Sequence, residues 1–145
     1  MRVDFYQLSR DPAEAALPLI ARQVLKLGER LLVVSGDAAQ RERIGRELWT
    51  RLPDSFLANG SADQPHAARQ PILLSERAEP ANGANYLALA DGVWRDAAHP
   101  FARVFYLFDA ETVQGARDCW RALGQREGID RRFWKQEGGR WVEGP

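Results

Sequence analysis

The sequence predicts an α/β layer fold with a largely parallel sheet. Short apolar runs of strand type alternate with longer segments of helical spacing, which is the order that strand–helix–strand units require. The run Leu31–Val34 is apolar throughout, as expected for a strand covered on both faces. With 145 residues, of which 45% are hydrophobic, the chain is long enough for one core, and it contains no internal repeat or linker. We therefore expect a single domain over residues 1–145.

The first part of the chain predicts one strand and one helix. Val3–Leu8 has the composition of an opening strand, and residues 11–27 follow helical spacing. Pro12 suits a first helical turn, whereas Pro18 does not, so the helix either starts later or bends there. Gly28 is the expected stop. The residues that share the apolar face of this helix are Ala16, Ile20, Val24 and Leu27.

A second helix is predicted over residues 38–51. Asp37 can cap its first turn, and Pro53 ends it. The residues expected to face the core are Ile44, Leu48 and Leu52. Trp49 lies off this face, and Phe56 follows soon after. These two aromatic side chains either anchor a partner or are covered by neighbouring elements, and the residues alone favour neither alternative.

The rest of the sheet is predicted from short apolar or aromatic runs. The strand candidates are Ser55–Leu57, Ile72–Leu74, Tyr86–Leu89 and Val104–Phe108. The last of these is the strongest, because it is aromatic and follows Pro100. Residues 58–69 are polar and rich in small residues, which indicates a loop. Near the C-terminus, Gly138–Gly139 separates two aromatic runs and predicts a turn or a small hairpin.

A third helix, predicted over residues 110–123, carries the most informative side chains. Its core-facing stripe consists of Ala116, Cys119 and Leu123. At about 100° per residue, a second set falls on one flank beside that stripe, namely Val113, Arg117, Trp120 and Arg121. The flank offers an indole, a methyl surface and two fixed cations, which suits a short peptide with both apolar and acidic groups. The alternative is a solvated helix face whose tryptophan lies against the edge of the core.

Composition excludes several classes of function. The 20 basic residues balance 20 acidic ones, which argues against broad nonspecific nucleic-acid binding. The single cysteine, Cys119, cannot form an internal disulfide. Without a signal peptide or a long apolar run, the expected protein is soluble and cytoplasmic, with no membrane contact. Five tryptophans is a high number, and some are candidates for interaction anchors.

No set of residues predicts a catalytic, cofactor or metal site. The turn Ser35–Gln40 follows a strand and precedes a helix, but it lacks the glycines and the Lys-Ser/Thr pair of a phosphate-binding loop. His66 and His99 have no further ligands at metal-site spacing. Cys119 faces the core stripe and is expected to be a buried apolar residue rather than a nucleophile.

The chain resembles the chi subunit family of bacterial DNA polymerase III over nearly all of its length. Each matching motif is short, but their order and spacing together are fairly specific. The segments that carry the resemblance are Val3–Leu8, Gly28–Val34, Leu48–Trp49, Asp54–Phe56, Pro71–Leu74, Ala116–Ala122, Phe133–Gln136 and Gly139–Trp141.

The resemblance implies a Rossmann-like three-layer fold with a largely parallel sheet and no nucleotide-binding loop. It implies a noncatalytic accessory subunit of the polymerase III holoenzyme and clamp-loader complex, without a cofactor. Such a subunit links the clamp loader, through the psi subunit where psi exists, to the acidic C-terminal tail of single-stranded-DNA-binding protein. DNA is then contacted only indirectly.

The resemblance also assigns roles to residues. Arg117 and Arg121 fall on positions that hold the carboxylates of the tail, and Trp120 falls beside its apolar end. Val113 stands where some family members have a lysine, so one cation of the site is replaced by a methyl surface. Two further residues, Trp49 and Phe56, fall on aromatic positions that contact psi.

Two other hypotheses compete with this one. A small α/β enzyme or nucleotide-binding domain has only the turn near Ser35 in its favour. Direct single-stranded-DNA binding through exposed Trp and Arg side chains has a modest charge excess in its favour, since residues 112–135 contain six basic and three acidic residues.

Overall fold

The computed structural model describes residues 1–137 and 140–144, and within them eight strands form one sheet. In chain order these strands are β1 (Arg2–Gln7), β2 (Leu31–Val34), β3 (Asn59–Ser61), β4 (Ile72–Ser75), β5 (Tyr86–Leu89), β6 (Arg103–Phe108), β7 (Asp130–Glu137) and β8 (Arg140–Glu143). Their spatial order is β3-β4-β2-β5-β6-β1-β7-β8. Every neighbouring pair except β7–β8 is parallel, which confirms the predicted α/β fold with a largely parallel sheet.

The described residues also form three α-helices, which cover the two faces of the sheet and give a three-layer fold. They are α1 (Ala13–Lys26), α2 (Ala38–Thr50) and α3 (Val113–Gly124). The buried side chains of α1 and α2 belong to the core on one face of the sheet. Those of α3 belong to the core on the other face. A single turn of 3₁₀-helix covers Ala67–Arg69. Both faces of the central strands are therefore buried, which agrees with their unbroken apolar runs.

The first helix differs in detail from the expectation. It starts at Ala13 and continues through Pro18, so a start after that proline is wrong. The proline removes one helical hydrogen bond, and the burial of one whole side of α1 against the sheet offsets this loss. Leu27 is 61% exposed rather than in the core, because the helix ends just before it. Gly28 follows with φ +76°, the left-handed conformation expected of a helix stop.

The second helix agrees closely with the prediction. Asp37 caps it by accepting a hydrogen bond from the amide of Ala39 at 3.0 Å. Ile44 and Leu48 are fully buried, and Leu52 packs against the same core.

The strand predicted at Ser55–Leu57 is wrong. Those residues form no strand, whereas Asn59–Ser61, inside the predicted loop, forms β3 at one edge of the sheet. The strand is short and polar and pairs only with β4, so its sequence carries no apolar pattern that could reveal it. Leu57 is buried, but it enters the core as part of an irregular segment.

The C-terminal strands form the predicted hairpin. β7 lies parallel to β1, and β8 returns antiparallel to β7. The two glycines predicted to make the turn, at positions 138 and 139, lie outside the described residues. Trp134 and Trp141 both pack on Tyr6, with ring centroids 6.2 and 4.9 Å from it.

A buried carboxylate ties this hairpin to the middle of the sheet. Asp4 of β1 is fully buried. It accepts hydrogen bonds from Arg2 (Nη2, 3.0 Å), from Arg103 (Nε, 2.6 Å) and from the indole Nε1 of Trp134 (2.9 Å). Two cations and one neutral donor thus surround one anion, which is the arrangement that makes a buried charge tolerable.

Candidate functional site

A groove of about 350 Å³ lies between α3 and the sheet. The helix contributes Val113, Ala116, Arg117, Trp120 and Arg121, and the sheet contributes Phe5, Gln7, Phe108 and Phe133. All four residues predicted on the flank of the third helix therefore line one cavity.

The floor of the groove is aromatic because of the strand order. Phe5 and Gln7 share one face of β1, since side chains alternate along a strand. Phe133 of β7 stands opposite Phe5 in the register, and Phe108 of β6 stands opposite Gln7. The rings of Phe108 and Phe133 lie 6.4 Å apart, measured between centroids. Three phenyl rings from three adjacent strands thus lie on one face of the sheet.

Trp120 forms a wall of the groove. Its indole is half-buried and meets Phe5 edge to face, with centroids 5.1 Å apart and an interplanar angle of 74°. The guanidinium carbon of Arg131 lies 4.3 Å from the centroid of the indole. Trp120 thus lies at the edge of the core, as the alternative interpretation of this helix face has it, and its indole also lines the groove.

Two exposed cations stand beside the apolar floor. Within residues 1–137 and 140–144, Arg117 makes no ion pair. Arg121 pairs with Asp118 one turn back on the helix, and both side chains are largely exposed. Such exposed pairs contribute little and exchange easily, so Arg121 can leave Asp118 for another carboxylate.

The start of α3 corrects the predicted helix boundary. The helix begins at Val113 rather than at residue 110. The Asp109 carboxylate accepts hydrogen bonds from the amides of Glu111 (2.9 Å) and Thr112 (3.1 Å), so these residues form a turn instead of helix. Val113 is therefore the first helical residue, at the end of the groove.

The turns that follow β1 and β2 are filled by the protein's own side chains. The amides of Ser9 and Arg10 both donate to Oε1 of Gln136 at 3.2 Å. In the other turn, the amide of Gly36 donates to Asp91 at 2.9 Å. Phosphate-binding folds use amides in such turns for their ligand. Here a phosphate would meet occupied amides and, near Gly36, the negative charges of Asp37 and Asp91.

The other sequence candidates do not assemble with the groove into a reactive site. Cys119 is buried, and that burial raises the pKa of its thiol to about 12, which keeps it protonated and unreactive. His66 is exposed in the segment between β3 and β4, at one end of the sheet. His99 packs against Phe101. Among the described residues, no three His, Cys, Asp or Glu side chains are grouped closely enough to hold a metal ion.

Trp49 and Phe56, together called the second surface below, are both exposed and lie outside the groove. Trp49 is 56% exposed on α2, and Phe56 is 92% exposed in the segment after that helix. The alternative in which neighbouring elements cover them is wrong. At Gly45, one turn before Trp49, an added Cβ would lie 3.3 Å from Oδ1 of Asn59, so the side chain of Asn59 would have to move slightly to accommodate it. The helix thus lies close to β3 at Gly45, and Trp49 stands one turn further along nearly the same face of α2.

The sequence did not reveal the floor of the groove or the contact made by Arg131. Phe5, Phe108 and Phe133 each belonged to a predicted strand or aromatic run, and their side of the sheet depends on the strand order. Arg131 counted only as one basic residue among several. The only signal for the contact of Arg131 was its position in the sequence, as a basic residue after the last helix and before an aromatic strand.

Comparison with known proteins identifies the family. The family model described as DNA polymerase III chi subunit, HolC, matches residues 1–131. The chain belongs to the DNA polymerase III chi subunit family. Membership of the chi subunit family supports an accessory role in DNA replication. The match contains all of α3 and Arg131, whereas Phe133 and most of the hairpin lie beyond it.

Individual relatives are more distant. A protein of Rickettsia prowazekii (strain Madrid E), named probable DNA polymerase III subunit chi, is 27% identical over 78 residues, which are 49% of this chain and 47% of that protein. The chain thus spans about half the length of this chi relative. A solved C-terminal domain of a Sulfolobus solfataricus SWI2/SNF2 ATPase has a TM-score of 0.51 and 15% identity, covering 78% of this chain and 56% of that one. This likeness concerns the fold alone and is consistent with the Rossmann-like architecture.

The helices of this chi-family chain are short. Within the described residues, no helix has both the length and the apolar character needed to cross a lipid bilayer.

Proposed function

We propose that the protein, as one domain over residues 1–145, is a noncatalytic accessory subunit that links the polymerase III clamp loader to single-stranded-DNA-binding protein. The observation that carries this proposal is the groove: an aromatic floor bordered by two exposed arginines, in a chain of the chi family. The ligand is the acidic C-terminal tail of that protein, which ends in an apolar residue. DNA associates only through this partner.

The groove divides the recognition into two parts. The apolar end of the tail lies on the floor, against Phe5 and Phe133, with the indole of Trp120 beside it. The acidic residues of the tail pair with Arg117 and Arg121, since guanidinium groups bind carboxylates in a bidentate way. Val113 borders the groove with methyl groups and supplies no charge. Because the contact area is small, a single tail binds weakly, and several tails on one tetrameric partner raise the effective affinity.

Arg117→Ala should weaken tail binding by about tenfold or more. Hydrogen bonds to charged groups contribute about 1.5–3 kcal/mol. Within the described part of the chain Arg117 makes no ion pair, so its guanidinium need not leave another carboxylate to bind the tail. Calorimetric titration with a synthetic peptide of the tail, from the same organism's single-stranded-DNA-binding protein, measures the effect. The interaction should also weaken as salt increases.

The matched control for this experiment is Arg69→Ala, which removes an exposed arginine from the 3₁₀ turn between β3 and β4, at the end of the sheet away from β7. It should leave the affinity unchanged. Equal binding by wild type and Arg117→Ala would refute the assignment of the groove. Equal binding of the intact partner and of a partner without its tail would refute the proposed function itself.

The second surface fits the psi subunit, or another clamp-loader component where psi is absent. Large aromatic side chains that stay exposed are frequent anchors of protein interfaces, and Trp49 and Phe56 are both exposed to water. Their separation from the groove, which lies on the opposite face of the sheet, would allow both partners to bind at once.

Replacing Trp49 and Phe56 together by alanine should weaken binding to this second partner at least tenfold, as expected for interface anchors. Tail binding should be unaffected. Co-purification and titration with the clamp-loader component measure the first effect, and Val93→Ala, which shortens another exposed apolar side chain, is the control. Unchanged partner binding by the double variant would contradict a role for this surface.

A further inference from the structure

Arg131 makes an unusual pair of contacts with Trp120. Its guanidinium carbon lies 4.3 Å from the centroid of the indole. Its Nη1 also donates a hydrogen bond of 2.6 Å to the backbone carbonyl of the same tryptophan. Arg131 belongs to β7 and stands opposite Val3 of β1, so its backbone is fixed by the sheet. The arginine therefore joins α3 to β7 through one residue of the groove wall.

Gly124 provides the space for this guanidinium. It is the last residue of α3. A Cβ built on it would lie 2.8 Å from Nη1 and 2.9 Å from Cζ of Arg131, which is too close for real atoms. The backbone of Gly124 has no positive φ, so alanine would fit the helix itself. An alanine here would instead force the guanidinium of Arg131 to move.

The indole is thus held from two directions. Phe5 meets it edge to face, and Arg131 lies over its ring. Within residues 1–137 and 140–144, Arg131 has no carboxylate partner that would draw its charge away. Cation–π contacts of this kind stabilise one ring orientation. A side chain that is already ordered loses less conformational entropy when a ligand binds.

We propose that Arg131, seated in the space left by Gly124, is a positioning residue that holds Trp120 in its groove-forming orientation for the apolar end of an acidic peptide. This inference rests on the proposed function for its ligand. The orientation of Trp120 itself can be measured without any ligand. The cavity lining does not include Arg131, so it acts through the indole rather than by touching the peptide.

Gly124→Ala is the sharpest test, because it displaces the guanidinium and keeps its charge. Alanine favours helix more than glycine does, which partly offsets the loss of the Arg131 contacts, so the variant should still fold. In protein labelled with 5-fluorotryptophan, the ¹⁹F resonance of Trp120, assigned by its disappearance in Trp120→Phe, should shift and broaden. Arg131→Ala should have the same effect. Arg131→Lys should change it too, since an ammonium group lacks the planar face that stacks on the ring.

Binding provides the second readout. Gly124→Ala and Arg131→Ala should raise the Kd for the tail peptide about three- to tenfold. A peptide with its terminal apolar residue replaced by alanine should bind wild type and both variants alike, because only the contact with the indole is affected. The control is Arg132→Ala, which removes the neighbouring arginine on the other face of β7, paired with Asp130. It should change neither the resonance nor the Kd.

The outcomes separate the two proposals. An unchanged Trp120 resonance in both Gly124→Ala and Arg131→Ala would overturn the positioning role. A uniform loss of affinity for both peptides would overturn it as well, since it would indicate a purely electrostatic effect. A wild-type protein that binds no tail, with Trp120 still responding to both substitutions, would overturn the proposed function and support the positioning of the indole.

Discussion

Asp4→Ala should lower the free energy of unfolding by about 3–5 kcal/mol, the usual effect of removing one partner from a buried ion pair. Asp4 is fully buried in β1, with Arg2, Arg103 and Trp134 donating to its carboxylate at 2.6–3.1 Å. Alanine would leave two guanidinium groups and an indole N–H without their acceptor. It would also remove the side-chain link between β1 and the hairpin, because Trp134 belongs to β7.

Urea denaturation of wild type and variant measures this loss as a lower midpoint. Asp130→Ala is the matched control, because its carboxylate pairs with Arg132 at an exposed site and should contribute less than about 1 kcal/mol. Asp4→Asn should fall between the two, since an amide oxygen still accepts hydrogen bonds but carries no charge. A loss below about 1 kcal/mol for Asp4→Ala would mean that the arginines find other acceptors.

Trp120→Ala should reduce the affinity for the tail peptide by about 30-fold or more, because buried aromatic anchors at interface centres contribute about 2 kcal/mol or more. The substitution removes one wall of the groove and the surface on which Arg131 lies. Trp120→Phe should retain part of the affinity, since a phenyl ring still covers some of the floor.

The control for Trp120→Ala is Trp49→Ala, which removes an exposed tryptophan from the other side of the sheet and should not affect tail binding. A circular dichroism spectrum and melting curve of each variant show whether α3 remains folded. If folded Trp120→Ala binds the tail as tightly as wild type, the indole is not part of the binding site.

The elements that could be predicted are those whose side chains alone decide the structure. β2 and β5 match their predicted ranges residue for residue, because uniformly apolar runs have few alternatives to a buried strand. The start of α2 could be predicted because Asp37 is a residue type that caps helices. β3 could not be predicted, since Asn59–Ser61 is polar and becomes a strand only because β4 offers it an edge.

Only the part of the candidate site that α3 contributes could be predicted from the sequence. The flank of α3 could be derived from helical geometry and the family resemblance, because all four of its residues lie within nine positions of sequence. The opposite wall comes from Phe5, Phe108 and Phe133, which are far apart in the chain. Their meeting depends on β1 lying between β6 and β7, and no local pattern specifies that order.

The placement of β1 also determines when the fold can be completed during synthesis. Val3 of β1 pairs in register with Val104 and Arg131, so neither neighbour exists while most of the chain is still being made. At about 5–20 residues per second, this first strand waits roughly 5–20 s for β6 alone. Contacts between such distant segments also slow folding itself. A nascent chain interrupted before β6 therefore exposes an unpaired strand that carries Val3, Phe5 and Tyr6, and chaperones and proteases act on such exposed segments.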